Sequence, residues 1–487
     1  MGWESAAMTV ELVGLTLAQA SAGLDEGQFS SIELVTACLD RIEAFGSQLN
    51  CFVEIAAEEA MAQATLADEQ RKQGQSDGPL QGIPLAVKDM FFNSGKVSSM
   101  GSRLGSKFVP TTTASVLKKL ESAGAISIGT LHMAEFAAGP TGQNDYLGFC
   151  KNPWNQTHIT GGSSSGSGCA VAARMVYGSI GSDTGGSIRL PAGMCGVVGL
   201  KPTHGLVSRH GGMPRCWSLD VFGPIARTAM DCALLLEAIE GFDQNDPATY
   251  VAHRRINSAR LGKSLKGIRV GLPGNCFASN AAPEVVQALD DVLDVLREVG
   301  CTVVPIDLPP TEPIYALTQI VNKAEAAALH SAWLAAYGDE YGMSTKTRME
   351  AGFYIPATLY LWALTARPNI LRGFVESVFT NVDVLLLPLL AQEVPAIADV
   401  DLTVSGDVPA TIDRITRYTR WVSYLGLPAI VAPCGFSRNR LPISFQLMGR
   451  PYSEQLLLDL VHQYEGMTAW HRRAPALEAL PTSQEGG

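Results

Sequence analysis

Two serine- and glycine-rich stretches, GGSSSGSG at residues 161–168 and GSDTGGSIRLPAGMCGVVGLKPT at residues 181–203, are the most distinctive part of this chain. Their glycines let backbone amides approach a ligand closely, because glycine has no side chain and adopts positive φ angles freely. Successive amides turned inward form an anion-binding nest, which suits a phosphate or the oxyanion of acyl transfer equally well. In DTGGS (residues 183–187) a hydroxyl adjoins the predicted nest. This favours acyl transfer, since nucleophile and oxyanion donors must converge on one carbonyl.

A serine nucleophile needs a base, and a lysine ends an apolar run upstream. GIPLAVK (residues 82–88) predicts a buried strand that ends at Lys88. A buried lysine can act as a base when its pKa falls towards neutrality. The plain alternative is an ion pair between Lys88 and Asp89 at a strand end, and the residues alone leave it open.

Strand-like and helix-like segments alternate along the 487 residues, and 46% of the chain is apolar. This pattern predicts an α/β fold in one domain, residues 1–487, with a central sheet covered on both faces. The pattern from Thr16 to about Ala67 is helical, with an N-cap at Ser30 and Ser31. An aromatic-rich helical section at about residues 313–380 is expected to form a side wall.

Composition excludes several classes of function. The net charge is −11 and no run of Lys or Arg occurs, which argues against nucleic acid and anionic membranes as partners. The ten cysteines are scattered without a CxxC pair, and no secretory signal is visible, so we expect a cytoplasmic protein with reduced thiols. No cluster has metal-ligand spacing, and we expect neither metal nor organic cofactor.

The chain resembles the amidase-signature family of hydrolases. The similarity extends from GIPLAVKDMF (82–91) through LHMAEFAAGPTGQNDY (131–146) and both serine-glycine stretches to GLPAIVAPCGF (426–436). The resemblance implies a large mixed β-sheet covered by helices on both faces. It also implies hydrolysis of the C–N bond of a linear amide, an aryl amide or a carbamate through a seryl acyl-enzyme. We expect the protein to be a monomer or a homodimer.

By the same resemblance, the catalytic triad is Lys88 as base, Ser163 after a cis peptide bond as proton bridge, and Ser187 as nucleophile. The implied oxyanion hole consists of the backbone amides of Thr184, Gly185, Gly186 and Ser187. The implied auxiliary residues are Asp183 and Arg189, which brace this loop, and Ser165, placed to hydrogen-bond the lysine.

The aromatic section and HGGMPRCWSLD (210–220) favour an aromatic-tolerant substrate pocket, and an aryl amide or carbamate is the expected substrate. Ordinary core or interface positions explain any one of these side chains equally well. The predicted pocket residues are Met133, Met213, Trp217, Tyr354 and Trp362.

Two other functions use the same residues. GSSSG (162–166) fits the G-x-S-x-G elbow of an α/β-hydrolase esterase, with Ser164 as nucleophile. His462 or His471 in the tail would then serve as the catalytic histidine. The segment before the elbow, NPWNQTHIT, is however a poor strand. GSDTGGSIR (181–189) and SLDVFGPIART (218–228) are also similar to the A subunit of tRNA-dependent amidotransferases. Such a protein would release ammonia from glutamine for a partner protein.

Overall fold

A computed structural model of the protein describes residues 12–75, 78–249, 256–274 and 281–478. Cys276, one of the ten cysteines considered above, lies outside these residues. The other nine are buried and free. The strands are β1 (Phe52–Ile55), β2 (Pro84–Lys88), β3 (Ile126–Leu131), β4 (Gly178–Asp183), β5 (Val198–Lys201), β6 (Val221–Ala226), β7 (Arg269–Pro273), β8 (Thr302–Ile306), β9 (Val384–Pro388), β10 (Ala429–Phe436) and β11 (Pro442–Gly449).

Fourteen α-helices flank these strands within the described residues. They are α1 (Leu17–Asp25), α2 (Ser31–Leu49), α3 (Ala57–Lys72), α4 (Ser115–Ser122), α5 (Ser165–Ala172), α6 (Arg189–Met194), α7 (Ala229–Ile239), α8 (Pro283–Glu298), α9 (Glu312–Tyr337), α10 (Met343–Glu350), α11 (Ala357–Val378), α12 (Val408–Thr416), α13 (Arg420–Leu425) and α14 (Glu454–Met467).

All eleven strands form one mixed sheet, in the order β1-β3-β2-β4-β6-β5-β10-β11-β9-β7-β8. β2 is parallel to both β3 and β4, and β7 is parallel to both β8 and β9, whereas the other pairs are antiparallel. Every residue of β2, β4, β6, β9 and β11 is buried. Successive side chains of a strand point to opposite faces, so helices must cover both faces here. The predicted α/β fold with a mixed central sheet is confirmed.

The helical pattern predicted from Thr16 to about Ala67 is wrong in one place. The N-cap at Ser30 is present, with a capping box to Glu33. However, Asn50 adopts a left-handed conformation (φ 52°, ψ 48°) that ends α2. The chain then enters β1, which pairs antiparallel with β3 at the edge of the sheet. Edge pairing with a distant strand therefore overrides the local helical pattern.

The aromatic-rich section forms α9, α10 and α11, as its helical pattern predicts. It packs on the sheet through a separate cluster of buried side chains that includes Phe374, Trp421 and Leu387. No helix within the described ranges is both long enough and apolar enough to cross a membrane.

The parallel pairing of β2 with β4 brings together the two segments singled out in the sequence. Ala86 pairs with Ser179 and Val87 with Ile180. Because the carboxyl ends of parallel strands meet at the same edge of a sheet, the end of β2 lies beside the second serine-glycine stretch. This edge holds the candidate active site.

Candidate active site

Lys88, the last residue of β2, is completely buried. Its Nζ lies 2.6 Å from Ser163 Oγ and 2.8 Å from Ser182 Oγ. Burial lowers the pKa of Lys88 from 10.5 to about 7, although the carboxylates of Asp220 and Asp183 pull it the other way. A large fraction of the lysine is therefore an uncharged amine at neutral pH, the form that accepts a proton.

The ion pair between Lys88 and Asp89, left open by the sequence, does not form. The carboxylate of Asp89 instead accepts hydrogen bonds from the hydroxyl and amide of Ser99 and from the amide of Gly101. The lysine contacts two neutral hydroxyls rather than a carboxylate, and this arrangement allows its pKa to remain low.

Ser163 follows the first glycine-serine turn, and the Gly162–Ser163 peptide bond is cis. The carbonyl of Ser163 accepts the amide of Ala134, and α5 begins two residues later. A Cβ at Gly162 would lie only 2.7 Å from the carbonyl oxygen of Gly139. Glycine is thus required where this turn passes close to the neighbouring loop.

Ser182 takes the place at the lysine that sequence analysis gave to Ser165. Ser165 Oγ donates to the carbonyl of Ser163 at 3.5 Å, and both hydroxyls on Lys88 Nζ come from other residues. The prediction that Ser165 contacts the lysine is therefore wrong, since residue 165 opens α5 and its side chain turns back on its own loop. Ser182 was missed; the parallel register, which pairs Val87 with Ile180, brings it next to the end of β2 and so to Lys88.

A buried ion pair braces the loop that carries Ser187. Arg189 holds the carboxylate of Asp183 through Nε at 2.9 Å and Nη2 at 3.0 Å. The guanidinium also donates to Gln446 on β11 and Ser423 on α13. Burial alone raises the pKa of Asp183, but the charge and hydrogen bonds of Arg189 outweigh it and bring the pKa to about 2. These contacts support the bracing role proposed for both residues.

The four amides proposed for the oxyanion hole are not equivalent. The amide of Gly186 donates to Asp183 Oδ1 at 2.8 Å, so it is committed to the loop itself. Within the described residues, the amides of Thr184, Gly185 and Ser187 make no hydrogen bond to the protein. Gly186 is therefore removed from the proposed oxyanion hole, and the other three remain.

Ser187 is half-buried and lines a cavity of about 460 Å³ together with Thr184 and Gly185. Lys88 and Ser163, by contrast, are almost completely buried. The proposed nucleophile thus faces an open space large enough for a small molecule, while its proposed proton acceptors are shielded from solvent.

The predicted pocket residues lie elsewhere. Their relative exposures are 0% for Met133, 5% for Met213, 43% for Trp217, 87% for Tyr354 and 57% for Trp362, and none of the five lines the cavity at Ser187. This prediction is wrong because the methionines pack into the core, the two aromatics of the helical section point outward, and Trp217 lines a separate cavity of about 210 Å³. The residues that do line the cavity at Ser187 are Ala137, Ala138, Gly139, Pro140, Thr184, Gly185, Leu190, Arg215, Gln319, Asn322, Lys323, Met343, Ser344, Thr347, Arg348, Leu402, Val408, Pro409, Ile412, Asp413, Thr416 and Arg420.

This lining is largely apolar, its charged side chains are mostly cationic, and in the described part of the chain it contains no aromatic side chain. It includes Arg215, Lys323, Arg348 and Arg420 against a single carboxylate, Asp413. An aryl amide or carbamate was expected because of an aromatic pocket, and the cavity at Ser187 does not provide one. Sequence analysis missed the arginines because they come from separate loops and helices that only the fold brings together.

The esterase alternative places its nucleophile at Ser164. This residue is completely buried, and its hydroxyl donates to the carbonyl of Ser182 and accepts from the amide of Ser182, both at 3.3 Å. The segment before it, residues 152–160, is not a strand. A nucleophile elbow needs a strand that leads to an exposed serine, and neither feature is present.

Comparison with known proteins finds relatives that cover almost the whole chain. A family model described as Amidase matches residues 33–458. The A subunit of the Glutamyl-tRNA(Gln) amidotransferase of Methylococcus capsulatus is 38% identical over 484 residues, which cover 95% of this chain and 98% of that protein.

Solved structures show the same fold. One of them superposes with a TM-score of 0.86 at 32% identity. It is described as an unexpected vestigial protein complex that reveals the evolutionary origins of an s-triazine catabolic enzyme. It covers 93% of this chain and 98% of its own. The native peptide amidase from Stenotrophomonas maltophilia has a TM-score of 0.81 at 28% identity, covering 94% of this chain and 98% of that chain.

Proposed function

The chain belongs to the amidase family, and we propose that it hydrolyses the C–N bond of a linear carboxamide through an acyl-enzyme on Ser187. The observation that carries this proposal is the buried Lys88 amine 2.6 Å from Ser163 Oγ, at the sheet edge where Ser187 faces the cavity. Lysine can replace histidine as the base in such a site only if it is uncharged, and burial provides that condition.

In the first step, the lone pair of the Lys88 amine takes the proton of Ser163 Oγ, while Ser163 Oγ takes the proton of Ser187 Oγ. The Ser187 oxygen forms a bond to the carbonyl carbon, and the π electrons of the carbonyl move to its oxygen. The amides of Thr184, Gly185 and Ser187 stabilise this oxyanion. Each such donor typically contributes about 3 kcal/mol to the transition state.

In the second step, the oxyanion collapses and the C–N bond breaks. The leaving nitrogen takes the electron pair and receives the proton that Lys88 returns through Ser163, so it departs as a neutral amine or ammonia. Water then repeats the sequence on the acyl-enzyme and releases the acid. Ser182 holds the amine in position throughout by accepting one of its hydrogens.

A second candidate is the glutamine-hydrolysing A subunit of an amidotransferase. The full-length relative at 38% identity carries that name, and it favours this candidate over a free-standing hydrolase. The chemistry at Ser187 is the same in both, since each releases nitrogen from a carboxamide. The two differ in whether the chain acts alone or delivers ammonia to a partner protein.

A serine-directed fluorophosphonate probe followed by mass mapping tests the proposed nucleophile. We expect the label on Ser187 in the wild-type protein and its loss in Ser187→Ala, whereas Ser164→Ala keeps the label and the activity. Label on Ser164 would contradict the proposal and restore the esterase alternative.

Ammonia release separates the two candidates. The purified chain is incubated with glutamine and with simple carboxamides, in the absence of ATP and of any other protein. Turnover of simple carboxamides under these conditions supports the free-standing hydrolase. If glutamine turns over only in a second incubation, to which a partner protein and ATP have been added, the amidotransferase candidate is supported.

A further inference from the structure

Arg215 is a buried cation without a protein partner. Its side chain belongs to the loop between β5 and β6 and the residue is 6% exposed, yet it lines the cavity that holds Ser187. Its Nη1 has no hydrogen-bond partner, and in the described residues no ion pair involves its guanidinium. A cation that is largely removed from bulk water and has no ion-pair partner is stabilised when an anion enters the adjoining cavity.

Neighbouring charges do not meet this need. Asp220 lies close, but its Oδ2 accepts the backbone amides of Arg215 and Cys216, and its Oδ1 accepts the hydroxyl of Thr184. Asp220 therefore fixes the backbone at residue 215 and links it to the proposed oxyanion loop. The carboxylate of Asp220 raises the pKa of Arg215 from a distance, but among the described residues it forms no ion pair with the guanidinium.

Two further arginines face the same cavity. Arg348 donates to the carbonyl of Ala138, and Arg420 donates to Tyr315 and lies 3.4 Å from Asp413. Burial lowers the pKa of Arg215, the neighbouring Cys216 and Asp220 raise it again, and the positive charge of Arg420 lowers it. Repulsion among cations around an open space is relieved when an anion enters it.

We propose that the substrate of this site carries a carboxylate in addition to its scissile amide, and that the guanidinium of Arg215 binds that carboxylate. A guanidinium forms two parallel hydrogen bonds with a carboxylate, which fixes the orientation of the amide relative to Ser187. This inference rests on the proposed function, because it names the class of amide that Ser187 cleaves. Arg215 is a specificity-determining residue in this scheme.

Matched pairs of amides test the inference. Malonamate, succinamate and glutaramate are each compared with the diamide of the same length, which replaces the carboxylate by a neutral group of nearly equal size. The measured quantity is the ratio of kcat/KM for the acid to kcat/KM for the diamide. The diamide value is first halved, because a diamide offers two amides to the enzyme. The variants are Arg215→Gln and Arg215→Lys, with Arg297→Gln on the exposed face of α8 as control.

We expect the wild type and the control to prefer at least one acid by more than tenfold. Arg215→Gln should lower that ratio by about tenfold or more, the usual effect of losing a charged hydrogen bond, and Arg215→Lys should retain part of it. A ratio is measured within each variant, so a general loss of activity cancels. An unchanged ratio in Arg215→Gln, or a wild type that prefers the diamides, would overturn the inference.

Binding separates this inference from the proposed function. In Ser187→Ala protein, calorimetry measures the Kd of each acid and each diamide, with and without Arg215→Gln. Tighter binding of an acid that depends on Arg215 supports the carboxylate site even if no amide is cleaved. Equal binding of acid and diamide refutes it even if amides are cleaved.

Discussion

Replacing Lys88 with methionine should stop the reaction and stabilise the protein. The pKa of Lys88 falls from 10.5 to about 7 on folding, so the unfolded chain binds more protons than the folded chain between these values. The resulting cost to the folded state is roughly 4 kcal/mol at pH 7. It is present in full below pH 7 and disappears as the pH rises towards 10.5.

Methionine fills a similar buried volume without a charge, so it removes this cost. The substitution also leaves Ser163 and Ser182 without their partner, and each lost hydrogen bond costs about 1 kcal/mol. Lys88→Met should therefore be about 2 kcal/mol more stable than the wild type at pH 7. Its activity should fall by about 10²–10⁴-fold, the usual contribution of a general base.

Thermal unfolding of both proteins from pH 6 to pH 10, together with amide turnover, measures these effects. The difference in unfolding free energy between the two proteins should shrink as the pH rises, because deprotonating Lys88 on folding then costs the wild type less. Lys201 is also buried, with its pKa lowered to about 7, but it is present in both proteins and cancels in the difference. The control, Lys118→Met on the exposed side of α4, should change neither property. A folded Lys88→Met protein that keeps full turnover at neutral pH, or that is less stable than the wild type at pH 7, would refute the reasoning.

Three further predictions concern the surrounding loop. The kcat/KM of the wild type should rise with pH through about 7 as Lys88 loses its proton. Ser182→Ala should move this rise to lower pH, because the Ser182 hydroxyl stabilises the ammonium form of Lys88 more than the amine. A pH profile that does not move would rule out that contact. Asp183→Asn should cost about 3–5 kcal/mol in unfolding free energy, since it leaves a buried arginine unpaired, and a loss below 1 kcal/mol by denaturant titration would contradict this. Gly186→Ala should lose both stability and probe labelling, because residue 186 has a φ of +132° and an added Cβ would lie 2.6 Å from a threonine hydroxyl. Gly185→Ala should lose less of each, because its Cβ would lie 3.3 Å from a flexible side chain. Equal losses in the two variants would show that this strain is unimportant.

Local residue patterns predicted the α/β architecture, whereas the meeting of Lys88 with the two serine-glycine stretches followed from the family resemblance. The run that ends at Lys88 is buried and strand-like, and the positions of glycine mark where the backbone approaches closely. Capping at Ser30 followed from the same kind of local signal. Edge strand β1 did not, since its pairing with β3 is a long-range contact.

Side-chain direction was the main source of error. Tyr354 and Trp362 suggested a pocket because they are aromatic, but helical spacing does not say what lies opposite a face. Ser182 contacts the lysine only because β2 and β4 are parallel in one register. Arg215 lies in a loop without periodicity, so its direction towards the cavity depends on the contacts that Asp220 makes.

The braced loop has a consequence for when the enzyme becomes active. Arg189 joins residues near position 183 to Gln446, which is 257 residues away in sequence. A nascent chain that lacks β11 already contains all three residues of the proposed triad, but it lacks contacts that hold the Ser187 loop. We therefore expect the proposed hydrolytic activity to appear late in synthesis, so that an unfinished or C-terminally truncated chain carries the proposed triad without cleaving amides.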